Sequence, residues 1–298
     1  MRSPPAFKWL LTVLLGASPA FAATPAAPLT VKVVLASEPS LNATSTLLLG
    51  EKDAVLVDVP FTRSDGHRLV AEVLETGRTL RTIYISHDHP DHFLSLEVLA
   101  EAFPDARIIT AAPVVEDIWR SLPLKIKRWG PMLGANGPHH PVVPQALEGN
   151  TFTLEGSEIR VLGPMQGDHV HATALWVPSI RTLIAGDLLF ADVHLWLGEH
   201  TPAQRKAWLA ALDQFDQLRP SIVVAGHRPP GVPDDTRSLQ FTRDYLVAFE
   251  AEVKASKNSA DLIARLKKRF PQARDYIDGF ILTNSAQVAM GETPPWTE

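Results

Sequence analysis

His87-Asp88-His89-Pro90-Asp91-His92 puts three imidazoles and the carboxylate of Asp91 within six residues. A packed core has no use for so many ionisable groups, whereas a metal ion needs them at close spacing. The run reads as two half-sites of a binuclear metal centre. Imidazole and carboxylate donors suit zinc, iron or manganese, with zinc the default for a mixed nitrogen and oxygen set. The chain has no cysteine, which excludes thiolate ligands.

The flanking elements must position that run. Upstream, Leu80 to Ser86 is β-branched and apolar enough for a buried strand, and Phe93 to Leu99 reads as the start of a helix. The histidines therefore sit on a strand-to-helix loop, where open α/β sheets place their sites. Pro90 stiffens the turn so that neighbouring side chains fan toward different points.

His-x-His-x-Asp-His after an apolar strand resembles the signature of the metallo-β-lactamase superfamily, and the chain carries further stations of that family in order. Val55-Leu56-Val57-Asp58 resembles its early strand ending in aspartate, Ile184-Ala185-Gly186-Asp187 the strand with the bridging aspartate, and Val223-Val224-Ala225-Gly226-His227 the strand ending in the last histidine. The resemblance implies that His87 and His89 hold a first metal and that Asp91, His92 and His227 hold a second. It makes Asp187 the bridge, as suits a carboxylate that can offer one oxygen to each ion, and Asp58 a support for the loop or a ligand histidine. Two zinc ions, or iron or manganese instead, would share a hydroxide for attack on a carbonyl, with Asp91 orienting it.

One station departs from the family pattern. Where Gly-His-Thr usually supplies the third ligand of the first metal, this chain reads Met165-Gln166-Gly167-Asp168-His169-Val170-His171. His169, Asp168, Gln166 and His171 all stand as candidates. His194, seven residues past Asp187, is close enough in sequence to line the same cleft, for substrate contact or proton donation. His139 and His140 lie among Gly and Pro and read as loop residues.

The expected activity is a binuclear zinc hydrolase acting on a small ester, thioester or lactone. The alternatives are a β-lactam hydrolase, a mononuclear iron oxygenase of the same fold, and a catalytically silent periplasmic metal-binding protein. The partner is a small molecule; the oligomeric state is left open. The formal net charge of −5, with no basic stripe interleaved with aromatics, argues against nucleic acid.

Residues 1–22 read as a secretory leader, with Arg2 and Lys8 before and beside a short apolar core and Ala20-Phe21-Ala22 as cleavage site, which places the mature protein in the periplasm or outside the cell. No later stretch approaches the roughly 18 apolar residues of a membrane span. The rest divides into residues 23–232, an α/β (α+β) domain expected as a four-layer αβ/βα sandwich, and 233–298, a C-terminal helical extension. Ser121 to Gly149, rich in Pro and Gly and holding Lys125, Lys127, Arg128 and Trp129, reads as a long loop forming a lid or cleft wall.

Overall fold

The computed structural model describes Met1 and residues 28–297; the rest of the expected leader lies outside the described residues. The first sheet runs in chain order through β1 (Thr30–Leu35), β2 (Thr44–Leu49), β3 (Asp53–Val57), β4 (Thr79–Tyr84), β5 (Arg107–Thr110) and β6 (Gln145–Ala146). The second contains β7 (Thr151–Leu154), β8 (Ser157–Met165), β9 (Ala172–Val177), β10 (Thr182–Ile184) and β11 (Ile222–Val224), in spatial order β11-β10-β9-β8-β7. β3 pairs parallel with β4, and β10 parallel with β11.

Alternation along these strands builds the layers, because successive side chains point to opposite faces. In β3, Val55 and Val57 turn to the core between the sheets and Ala54 and Leu56 to the outer face. In β9, Leu175 and Val177 share the inter-sheet core while Ala174 and Trp176 face outward. Each sheet is thus apolar on both faces, and each outer face needs helices to cover it.

On the first sheet these are α1 (Arg63–Glu75), α2 (Leu96–Ala102) and α3 (Ala112–Leu133). On the second they are α4 (Pro202–Leu218), α5 (Arg237–Ala255), α6 (Ser259–Arg269) and α7 (Phe280–Ala289). The result is the four-layer αβ/βα sandwich with a helical C-terminal region. Leu246, Phe249, Leu262 and Leu282 of that region share one apolar cluster with Leu183 and Val223 of the second sheet. No helix among the described residues is long and apolar enough to cross a membrane.

The expected loop at 121–149 is a correction. Its first half continues α3 to Leu133, with Pro123 and Pro131 inside the helix. Val114, Ile118, Ser121, Lys125 and Trp129 recur every three or four residues and are all buried, which is a helical stripe. Lys125 disguises that stripe: its charge is matched by Asp88, whose carboxylate lies 3.2 Å from Nζ, so the side chain sits only 3% exposed. The prolines each remove a backbone donor without ending the helix.

Candidate metal centre

Four strand ends meet at one edge of the sandwich. β3 delivers Asp58, β4 the 86–92 loop, β10 Asp187 and β11 His227. Phe190 and Ala43 form single bridges with His227, tying the last histidine to both sheets. Gly226 is required here: a Cβ on it would overlap Asp187 Oδ1.

The side chains form two groups, each with its ligand atoms within 4.8 Å of one another: His87, His89, Asp168 and Asp187, and Asp91, His92 and His227. All seven are buried. In the first group, Asp168 Oδ2 is 2.9 Å from His89 Nδ1, and Asp187 Oδ2 is 3.7 Å from His87 Nε2. In the second, His227 Nε2 lies 3.2 Å from His92 Nε2 and 3.2 Å from Asp91 Oδ2. Asp187 joins the groups, with Oδ2 also 3.2 Å from His227 Nε2 and Oδ1 3.1 Å from His92 Nε2.

These donors fit a divalent cation. Buried polar atoms are almost always hydrogen-bonded, yet His87 Nε2, Asp168 Oδ1 and Asp187 Oδ1 have no such partner. Two ligands held at ~2.0–2.1 Å by a tetrahedral ion stand about 3.3 Å apart, the scale of the spacings here. The far nitrogens of the histidines are each engaged, which aims the near ones inward. His227 Nδ1 donates to the Leu41 carbonyl at 2.9 Å, and His92 Nδ1 to Asp58 Oδ2 at 2.9 Å. His87 Nδ1 meets Ser86 Oγ at 2.9 Å, and that hydroxyl donates to Asp58. With both Nδ1 atoms donating, the Nε2 atoms of His92 and His227 point at each other across 3.2 Å, where a bound cation would take their lone pairs in place of protons.

Among the four candidates for the third position, Asp168 enters the group. Its backbone N–H bonds the Asp187 carbonyl at 3.3 Å, setting the two carboxylates side by side. His169 lies outside both groups; its Nδ1 accepts from the His171 N–H at 3.2 Å and stands 3.9 Å from Asp117 Oδ2. Gln166 bonds the Gly167 carbonyl and His200, and His171 pairs with Asp117 at 2.6 Å.

The charges explain the titration behaviour. Burial pushes His87 well below the usual imidazole range, with His92 adding to the effect, so it is a neutral donor. Burial likewise opposes charge on His92, but Asp187 and Asp58 outweigh it and bring it up to about 10. Burial opposes charge on Asp187 too, yet His227 and His92 hold its carboxyl well below the ordinary range. Asp168 goes the other way: burial, with Asp187 beside it, raises it well above.

Three residues escape the sequence reading. Glu199 Oε1 lies 3.2 Å from His89 Nε2 and also accepts from Trp196 Nε1 at 3.0 Å. Ser86 links His87 to Asp58. His200 holds the Gly167 carbonyl at 2.8 Å and so supports the loop that carries Asp168. None belongs to a spaced motif; Ser86 alone, next to His87, was findable by position. His194 does reach the cleft beside the centre, with Nδ1 2.8 Å from the Tyr245 hydroxyl. Burial pushes its imidazole down to about 4, which leaves it neutral. His139 offers its ring to Arg63 away from both groups.

Comparison with known proteins agrees with this geometry. The profile of the "Metallo-beta-lactamase superfamily" matches residues 40–227, which include every group above. No curated protein matches the chain significantly. Among solved structures, a metallo-beta-lactamase family protein from Thermus thermophilus aligns with a TM-score of 0.63 at 22% identity, over 88% of this chain and 93% of that one. The DIM-1 metallo-beta-lactamase aligns at 0.56 and 18% identity, over 75% and 99%. A metallo-beta-lactamase from Pontibacter korlensis aligns at 0.55 and 16%, over 76% and 97%. The profile match, reinforced by two buried donor groups on the shared fold, places the chain in the metallo-beta-lactamase superfamily of metal-dependent hydrolases.

Proposed function

We propose that the protein is a binuclear hydrolase that cleaves a carbonyl ester, thioester or lactone of a small molecule, secreted by means of the leader at 1–22. The observation that carries the reading is Asp187, whose carboxylate stands between the two buried donor groups. His87 Nε2, His89 Nδ1 and Asp168 would hold one ion, Asp91, His92 and His227 the other, with Asp187 shared. Such ions, when bound, lower the pKa of water toward neutrality and polarise a carbonyl, so no side-chain nucleophile is required.

The chain's own residues then orient the reactants. Asp91 lines the cleft and can accept a proton from the attacking water while its oxygen faces His227. Water adds its oxygen to the carbonyl carbon, the C–O or C–S bond breaks, and the water's proton ends on the leaving group. Neutral His194 serves substrate contact rather than proton donation, since an imidazole that protonates only near 4 has no proton to release at neutral pH. A panel of esters, thioesters, lactones and β-lactams offered to the metal-loaded protein tests the reading, with activity expected to vanish on chelation.

A second reading concerns the metal. Asp168 in place of an imidazole makes the first group two nitrogens and two carboxylates, a set that suits iron or manganese as well as zinc. The intact second group favours two ions over the single iron of an oxygenase.

A further inference from the structure

The cleft above the centre holds about 660 Å³ including its open mouth, the scale of a small-molecule site. Its walls away from the donor groups are aromatic and aliphatic: Phe61, Trp129, Trp196, Phe280, Ile281 and Trp296. The rings brace one another. Trp196 stacks on Phe280 at 5.6 Å, and Trp296 meets Phe280 edge-on at 5.3 Å and Trp196 at 6.1 Å. Trp296 is held in place through its backbone, whose N–H donates to the Gly198 carbonyl at 2.8 Å.

Charge is distributed just as unevenly. No lysine or arginine is among the described residues lining this cleft, whose only charged side chains beyond the donor groups and His194 come down to Glu199. Arg128 is exposed and covers Trp129 and Trp296, with its guanidinium 4.9 Å from the Trp296 ring centre. Lys125 belongs to a neighbouring polar hollow with Asp88 and Asp117. A carboxylate or phosphate on the part of the substrate that lies against these walls, away from the donor groups, would meet apolar and acidic side chains without a lysine or arginine to offset its lost hydration.

Resting on the hydrolase reading, we infer that the substrate is an uncharged carbonyl compound bearing a flat aromatic group, seated against Trp196 and Trp296, and that Trp296 determines this specificity. The apolar walls, the braced indoles and the absence of lysine and arginine from the described lining all select the same ligand chemistry. Phe280, Ile281 and Trp296 lie beyond residue 227, where the superfamily match ends, so this part of the wall belongs to the C-terminal extension. β-Lactams, which carry a carboxylate, are then poor substrates. Glu199 couples the wall to the centre, because one carboxylate oxygen receives both Trp196 Nε1–H and His89 Nε2–H.

The test uses the zinc-loaded full-length protein and two non-hydrolysable probes, acetophenone and 4-carboxyacetophenone, followed by quenching of tryptophan fluorescence. Acetophenone is expected to bind about tenfold tighter. Trp296→Ala should weaken it about fivefold, and Trp296→Phe should restore most of the loss. In parallel, KM for phenyl acetate should rise about fivefold in Trp296→Ala and much less for methyl acetate. Equal or tighter binding of the carboxylated probe, or no change in either readout in Trp296→Ala, overturns the inference. If no ester is turned over, the hydrolase reading fails while the binding arm still decides the cleft. If carboxylated esters are the best substrates, the hydrolase reading stands and this inference falls.

Discussion

Asp58 Oδ2 accepts hydrogen bonds from His92 Nδ1 at 2.9 Å and from Ser86 Oγ at 2.7 Å, and that same hydroxyl supports His87 Nδ1. One carboxylate thus fixes the orientation of a donor in each group. Asp58 sits in the left-handed backbone region at φ 59°, which few non-glycine residues tolerate, directly after β3. Asp58→Asn puts an amide where two donors converge. We expect metal affinity to fall about 10–100-fold, read by competition with a chromophoric chelator. Unchanged affinity would remove Asp58 from the support of the centre.

Asp168 belongs to the first donor group and not to the second, so its exchange separates the two groups. Asp168→Ala should release the first ion and retain the second, since Asp91, His92 and His227 are untouched. Asp168→His should restore zinc loading and shift preference away from manganese and iron, because an imidazole replaces a hard oxygen donor. Metal analysis after equilibration with zinc and manganese mixtures reads both. Loss of both ions in Asp168→Ala would mean that the groups do not load independently.

Gly226 permits the approach of β11 to Asp187. In Gly226→Ala the new Cβ would meet Asp187 Oδ1 and the Gly186 backbone, whose carbonyl carbon would lie at 2.7 Å. We expect about 1–3 kcal/mol of lost stability, as for overpacking elsewhere, together with loss of bound metal. Urea midpoints and metal content measure the two effects, and a variant that keeps both contradicts the placement of Asp187.

Acid should destabilise the protein through His194 and His200, both held by burial at about 4. The unfolded chain protonates such groups near 6.5, so it binds more protons than the folded chain between about 6.5 and 4. Their folded pKa values lie below the unfolded ones. The neutral forms therefore cost nothing above 6.5, and stability is lost as pH falls through that window, about 2 kcal/mol for each by pH 5. Urea unfolding of the chelator-treated protein at pH 7.5 and 5 should show a smaller loss in His194→Gln than in the parent. Equal losses would contradict the burial of a neutral His194.

The sandwich and the main donors are legible in the sequence because Asp58, Asp187 and His227 each end a short apolar strand, and because the 87–92 run is too dense in imidazole to pack otherwise. The third donor of the first group is not legible. Asp168, His169 and His171 are near neighbours on one loop, and contacts made through the fold, among them the hydrogen bond from Asp168 N to the Asp187 carbonyl and that of His200 to the Gly167 carbonyl, decide which faces inward. Glu199 is invisible for a related reason, since its partners His89 and Trp196 meet it through the fold. α3 is hidden by Pro123 and Pro131 and by Lys125, a buried cation on an apolar stripe.

Asp187 stands between the two donor groups, where it would join a pair of metal sites. Metal content of the purified protein, counted with and without Asp187→Ala, tests this role most directly. About two ions per chain are expected in the parent, dropping in the variant, whose fold is checked by circular dichroism. One ion per chain, or a count that Asp187→Ala leaves unchanged, would contradict it.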